Sequence, residues 1–403
     1  MRVTDEQQAV IAANESRMLV NAYAGTGKTE TTAHRVARLR KDGKRVLLLC
    51  FTRAAQQQLS SRLEAMGVRA TVKTLHSFAH EFVARWHEKN GAVMPSLATD
   101  FLVRRVIMRH GFTPTSANVN AIRQASTFIA NGMGGFPQSS EFDGKAARTM
   151  VEAYAVEKER TNTVDFDDLI SMATEIVRPW QGEIVVDEAQ DLSNLQLRLL
   201  DALTSDDTSM TWVGDRWQSI YGFTGVDADL FRKRSEWAQY TLSRSFRSTV
   251  DVLRIANQLV PDRIASDFVG GRVDVRTRDE LETVGDLLLW SHGNDAILAR
   301  THAELEGIGR AFTREGKAFS WTAFDTHGAM PTQKARPTVL STIHAAKGLE
   351  WEAVAVIGLN GRSFGTFDPS PEEARLFYVA ATRAKQELML FTQDGDLPFE
   401  VES

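Results

Sequence analysis

The sequence predicts an α/β protein of two tandem parallel-sheet units, and two observations carry that prediction. Short apolar, β-branched runs alternate with stretches of helical periodicity, the pattern of strand-helix-strand units, and the runs fall into two groups that divide near residue 240. The first group is MLVNA (18–22), VLLLC (46–50), EIVVD (183–187) and MTWVG (210–214); the second is AILA (296–299), TVLST (338–342), AVAVIG (353–358) and ELMLF (387–391). A chain of 403 residues is long enough for two or three ordinary cores.

The first run leads into AYAGTGKTETTAHRVARL, which has the order strand, glycine-rich turn, helix. Gly25, Gly27, Lys28 and Thr29 fall at the bend. Glycines let backbone N–H groups converge on a phosphate, a helix N-terminus adds positive potential, a lysine reaches the terminal phosphates and a threonine hydroxyl binds Mg²⁺. Ala22 stands where the usual pattern has its first glycine, so the candidate ATP loop is Ala22, Tyr23, Ala24, Gly25, Thr26, Gly27, Lys28 and Thr29. Without a nucleotide the same stretch is an ordinary tight turn between strand and helix.

Residues 31–90 carry twelve Lys or Arg against four acids, while the whole chain has a net charge of −5. Such a run is either a solvated face or a phosphate-binding surface. Residues 86–164 interrupt the first group with helix-like spacing in FLVRRVIMRH and KAARTMVEAYAVEKER, and read as a helical insertion between strands of one sheet. EIVVDEAQD then delivers Asp187 and Glu188 at a strand's C-terminal end, where the first can hold Mg²⁺ and the second polarise a water for in-line attack. Paired acids in that position also cap helices, and kinases of small molecules share the glycine loop. The DEAQD run favours hydrolysis by water. AFDTHGAMPTQKARP (323–337) reads as a polar connecting loop.

The single cysteine, Cys50, lies in an apolar run and reads as a buried thiol, consistent with a reducing compartment. No stretch reaches the roughly 18 apolar residues of a membrane span, and MRVTDEQQAV lacks a signal peptide's apolar core. These features place the chain in a cytoplasm, bacterial or, for a viral product, that of the host. With nine histidines dispersed and one cysteine, no zinc site is expected.

From residue 3 to about 392 the chain resembles a superfamily 1A DNA helicase of the UvrD/Rep/PcrA type, on motifs that follow one another in the family's order. VTDEQ resembles the Q motif. CFTRAA (50–55) and KTLHSFA (73–79) resemble motifs Ia and Ib, DFDDLI (165–170) and VVDEAQD (185–191) the segment through Walker B, and WVGDRWQSIYGFTG (212–225) motif III. LSRSFRS (242–248) is similar to motif IV, STIHAAKGLEW (341–351) to motif V and RLFYVAATRAK (375–385) to motif VI. NAYAGTGKT, TLHSFA and SRSFRS lean toward the F-box-helicase-like branch.

The resemblance implies two RecA-like P-loop motor domains, 1A at 1–85 and 165–240 and 2A at 241–403, with a helical 1B insertion at 86–164. It implies an ATP hydrolase with Lys28, Asp187, Glu188, Gln218, Arg247 and Arg383 as catalytic residues, and Mg²⁺ on Thr29 and Asp187. Gln218 would sense the γ-phosphate, Arg247 and Arg383 would act as arginine fingers, Gln7 would read the adenine edge, Phe246 would stack on it and Glu350 would hold the ribose. Phe51, Thr52, Arg53, His76, Phe223 and His344 would contact DNA. Phe51 alternatively closes an apolar strand as core, and His76 alternatively orders its loop. The basic excess at 31–90 overlaps motifs Ia and Ib, where phosphate contacts belong.

Three departures stand out. Arg53 replaces the asparagine usual in motif Ia, and Thr224 stands where many relatives carry arginine. About 90 residues separate Arg247 from Val339, too few for the large 2B insertion of the family, so 2B is reduced to a loop near 323–337. The expected protein is a monomeric helicase or translocase on single-stranded DNA and its junctions with duplex, moving 3′ to 5′ and serving replication, recombination or repair. Alternatives are a translocase that strips bound proteins, and an ATP-switched DNA clamp. RNA fits the same contacts, because stacking and phosphate contacts do not report a 2′-hydroxyl.

Overall fold

The structure is a computed structural model and describes residues 3–133, 141–222, 225–227, 229–322, 337–359 and 371–392. The first sheet is built from β1 (Arg17–Ala22), β2 (Val46–Cys50) and β3 (Thr71–Thr74), and from three strands that follow a long helical stretch. Within that stretch β4 (Ser96–Leu97) pairs with β5 (Thr163–Val164). Then come β6 (Gly182–Asp187), β7 (Thr208–Gly214) and β8 (Ala238–Leu242), giving the order β3-β2-β6-β7-β1-β8 with every pair parallel.

In β2, VLLLC is buried at every position because side chains alternate between two covered faces. Leu47 and Leu49 pack with Leu75, Phe78, Leu169 and Leu199 on one face. Val46, Leu48 and Cys50 pack with Ala33, Val36, Leu59 and Leu63 on the other. Cys50 is buried as the apolar run implies, and burial pushes its thiol pKa up. The fully buried Arg35 donates to Glu183, Thr211 and the carbonyls of Val10 and Ala13, fixing the N-terminal helix Asp5–Ala12 to the sheet.

Helices Asp100–Arg109, Ser116–Ala130 and Gly144–Thr161 enclose a core of their own around Val103, Ile107, Ile122 and Met150. The preceding helix, Leu75–Lys89, runs through position 86 and packs on the first sheet through Phe78 and Val83. The three-helix body is tied to helices packed on the first sheet by Thr127, which donates to Asp167 of helix Phe166–Ile176, and by Asn131, which accepts the Leu195 N–H of helix Asn194–Ala202.

After β9 (Arg244–Ser245), paired with β10 (Ala265–Ser266), the second sheet comprises β11 (Arg272–Thr277), β12 (Asp295–Ala299), β13 (Phe319–Trp321), β14 (Thr338–Thr342), β15 (Trp351–Leu359) and β16 (Ala384–Thr392). Its order is β11-β16-β15-β12-β14-β13, again wholly parallel. Val354, Val356, Leu388 and Leu390 face one core, Ala355, Ile357, Met389 and Phe391 the other. The loop read at 323–337 lies, but for Pro337, outside the described residues. Among the described residues no helix is long and apolar enough to cross a membrane.

Candidate nucleotide and nucleic-acid site

The turn after β1 is left-handed at Gly25 and Gly27, and Gly27 caps helix Lys28–Lys41 without a side-chain bond, so the first N–H groups of that helix remain for a ligand. A Cβ on Gly25 would lie 2.6 Å from both the Arg247 Cβ and the Ser245 Oγ, so only glycine lets the segment before the second sheet approach this closely. The Phe246 N–H donates to the Gly25 carbonyl at 2.8 Å.

The carboxylates gather beside this loop. Lys28 Nζ lies 2.9 Å from Glu188 Oε2, and Gln190 Nε2 donates to the same oxygen at 2.6 Å. Glu188 is one of three non-glycine residues with positive φ among the described residues, a costly conformation that turns the chain sharply at the end of β6. Against burial, which would raise it, the ammonium groups of Lys28 and Lys347 hold the Glu188 carboxyl well below its usual range. Burial and the neighbouring charge of Glu188 push Asp187 the other way. Asp187 Oδ1 is buried and has no hydrogen-bond partner among the described residues. An orphaned carboxylate oxygen at a strand end, in a cleft that Thr29 also lines, is a donor set that suits a hard divalent cation.

Asp215, fully buried after β7, organises the far side. It accepts from the Trp217 N–H at 3.1 Å, from Gln218 Nε2 at 2.7 Å and from the Tyr378 hydroxyl at 3.1 Å, while its own N–H donates to Gln190 Oε1 at 3.0 Å. From the second unit, Arg383 reaches Gln218 Oε1 at 3.3 Å and spends its other donors on the carbonyls of Val379 and Leu349 and the Thr382 hydroxyl. It is 1% exposed, and among the described residues no carboxylate pairs with it. Burial and the charge of Arg247 pull its pKa down against the charges of Asp215 and Glu188, so the site holds a buried cation whose nearby carboxylates do not pair with it directly. Lys347 crosses the same junction to Asp191 at 2.6 and 2.7 Å and to the Gln218 carbonyl at 2.5 Å.

Lys28, Asp187, Glu188, Gln218, Phe246, Arg247, Glu350 and Arg383 thus line one cleft of about 970 Å³. Within it Arg247 pairs with Glu350 at 2.6 Å and donates to the Thr382 carbonyl at 3.2 Å. Gln7 already bonds at both amide atoms, keeping a second donor and a second acceptor site. Its Oε1 accepts the Thr4 N–H in a capping box and its Nε2 donates to the Thr26 carbonyl at 3.1 Å, so its amide braces the phosphate loop.

Phe51 is half-buried and belongs to neither core of the first sheet. Its ring stacks on Tyr221 at 6.2 Å, and Tyr221 lies 6.3 Å from His344 of the second unit. Thr52 caps helix Arg53–Ala65, with Thr52 and Arg53 exposed at its start. His76 lies edge-on to Phe166 at 5.2 Å. Phe223 and Thr224 lie outside the described residues. Sequence reasoning missed Gln190, Asp191, Asp215, Tyr221, Lys347 and Tyr378. All six fall inside quoted motifs, so the motif was the available signal, but their partners lie on other elements.

A family profile described as the UvrD/REP helicase N-terminal domain matches residues 3–239, and one described as the UvrD-like helicase C-terminal domain matches 325–394. A probable DNA helicase of Mycoplasma pneumoniae is 27% identical over 96% of this chain and 83% of its own length. The ATP-dependent DNA helicases PcrA of Leuconostoc citreum and Staphylococcus aureus are 27% and 28% identical over 64% and 63% of this chain. This chain covers 39% of the length of each of those PcrA proteins.

Proposed function

The chain belongs to the UvrD/REP helicase family, and on that premise we propose that it is an ATP-driven motor moving along single-stranded DNA. The observation that carries the reading is the polar chain across the cleft, from Lys28 and Glu188 through Gln190, Asp215 and Gln218 to Arg383.

In this reading Lys28 and the helix N-terminus bind the terminal phosphates, Phe246 stacks on the adenine beside Gly27, and Glu350 exchanges Arg247 for the ribose. Gln7 serves the nucleotide by holding the loop. Thr29 and Asp187 would hold Mg²⁺, which when bound neutralises charge on the phosphate oxygens. Glu188 orients and deprotonates the attacking water. Arg383, a buried cation with no direct ion pair among the described residues, and Arg247 neutralise charge that develops on the transferred phosphoryl. Because these arginines belong to the second unit, ATP draws the units together and hydrolysis releases them, which is a motor stroke. The Phe51–Tyr221–His344 ladder spans both units and offers sequence-tolerant stacking to bases, while Thr52 and Arg53 meet phosphates.

Movement 3′ to 5′ follows from the resemblance of motifs V and VI, and service in replication, recombination or repair from the resemblance to the family as a whole. Only fourteen residues, 323–336, lie between Thr322 and Pro337, too few for a 2B domain, the insertion that the resemblance implies restrains larger relatives, so a monomer translocates without that restraint. A monomer that hydrolyses ATP with DNA but stays in place would overturn this point.

The decisive experiment is steady-state ATPase with and without single-stranded DNA, for the wild type and Glu188→Gln, at one fixed low salt concentration. Strong stimulation is expected, with the variant binding ATP but losing about 10²- to 10⁴-fold in turnover. Folded, ATP-binding wild type that is indifferent to DNA would overturn the motor reading.

A further inference from the structure

We propose that Tyr378 is a positioning residue for ATP hydrolysis, its hydroxyl setting the phosphate loop and the Asp215–Gln218 pair of the first unit in register with Arg383 of the second. The inference rests on the motor reading above and assigns to one hydroxyl the task of reporting that the units have docked.

Tyr378 lies on helix Pro371–Ala381 and is fully buried where the two units meet, packed with Tyr23, Leu253 and Ala256. Phenylalanine would fill that apolar contact equally well, so the hydroxyl needs its own explanation: a buried phenol must find partners or cost stability. It finds two, both on the opposite unit. It accepts the Ala24 N–H of the phosphate loop at 3.1 Å and donates to Asp215 Oδ2 at 3.1 Å.

Those contacts close a ring. Asp215 Oδ2 also takes Gln218 Nε2 at 2.7 Å, Gln218 Oε1 takes Arg383 at 3.3 Å, and Arg383 Nε returns to the Val379 carbonyl, one residue beyond Tyr378, at 3.0 Å. The ring crosses between units twice, at Tyr378–Asp215 and at Gln218–Arg383. A shift of the second unit that moves Arg383 therefore also moves the hydroxyl that holds both Ala24 and Asp215. Glu188 joins the same ring through Gln190, which accepts the Asp215 N–H and donates to Glu188. The water-activating carboxylate, the γ-phosphate sensor and the finger are thus held in one register by a group that touches none of the reacting atoms.

Tyr378→Phe removes one oxygen and keeps the packing. In protein of unchanged melting temperature, we expect kcat of the DNA-stimulated ATPase to fall about tenfold or more while KM for ATP changes less than about threefold, the split of a transition-state defect. Asp215→Asn keeps the shape and breaks the same ring, so it should act alike, and the double variant should be no slower than the slower single. Tyr378→Phe with wild-type kcat, a rise in KM alone, or single effects that multiply in the double variant would each overturn the proposal. Should Tyr378→Phe not fold, Asp215→Asn decides by the same kcat and KM criteria. Wild type without DNA-stimulated turnover defeats the motor reading instead, so the two failures are distinguishable.

Discussion

In the first sheet the polar groups of the cleft follow their strands: Lys28 comes after β1, Glu188 after β6 and Asp215 after β7. In the second they precede them, Glu350 standing before β15 and Arg383 before β16. Both sheets have six parallel strands covered on both faces. The edges they offer differ in chemistry. Behind the C-terminal ends of parallel strands stand helix N-termini, whose unpaired N–H groups and positive potential bind an anion unaided. The N-terminal ends offer only side chains on short turns, which act when the unit docks. One edge should therefore govern affinity for ATP and the other its turnover.

The largest expected effects test that division directly. Lys28→Ala should raise the ATP concentration needed for half-saturation and abolish measurable turnover. Arg383→Ala should leave ATP binding within about tenfold of wild type but cut kcat on the order of 10³-fold. Equilibrium titration with a fluorescent ATP analogue beside steady-state kinetics separates the two quantities, and an Arg383→Ala defect confined to affinity would break the division.

Docking itself should be the next most sensitive quantity. The Lys347 and Asp191 side chains are 9% and 2% exposed, and burial pushes Asp191 up to about 6 despite the ammonium beside it. Lys347→Met strands a buried carboxylate, a change that costs about 3–5 kcal/mol in comparable buried pairs. Asp191→Asn in the same protein should restore much of the loss. Thermal unfolding of wild type, both singles and the double checks this; a double variant as unstable as the two singles combined would deny that the pair acts as a latch.

A smaller effect is expected on the strand side, where stacking is shared among rings. Tyr221→Ala removes the ring between Phe51 and His344 and should weaken single-stranded DNA binding by about 1–3 kcal/mol, the worth of a base-aromatic stack. Fluorescence anisotropy at fixed salt measures it. Loss of His76, whose ring packs edge-on against Phe166, should matter less, and equal losses would mean the strand does not run along the ladder.

The central strands were legible because VLLLC and EIVVD are buried throughout and AVAVIG from Val354 to Ile357, so apolarity alone marks them. β3 (TVKT), β8 (AQYTL) and β11 (RVDVRT) were not, since each is an edge strand with exposed polar positions that read as loop. The same contrast holds at the site. Gly25 with Lys28, and Asp187 with Glu188, each fall within a local spacing and could be read from it as candidates. Asp215 and Tyr378 lie 163 positions apart and acquire meaning only when one unit docks on the other. Gln7 shows the opposite limit: its motif was visible, but its bond to the Thr26 carbonyl, which commits the amide to the loop, depends on folding.

The finest comparison between the units is their response to acid. Burial lowers the pKa of His76 in the first unit, and burial together with the charge of Arg300 lowers that of His344 in the second. An imidazole whose folded pKa lies below its unfolded value stays neutral in the native state while the unfolded chain takes up a proton. Stability is then lost as pH falls through the ordinary histidine range. Asp191 works in the opposite sense, gaining stability on protonation near pH 6, so wild type alone cannot isolate the histidines. The difference between wild type and a histidine variant can, because the Asp191 contribution is common to both. His344→Gln should reduce the drop in melting temperature between pH 7.5 and 5.5 by about 1–2 °C, and His76→Gln by less, since no cation adds to burial there. Equal slopes in wild type and both variants would show that neither imidazole is held neutral, and that the two units meet acid alike.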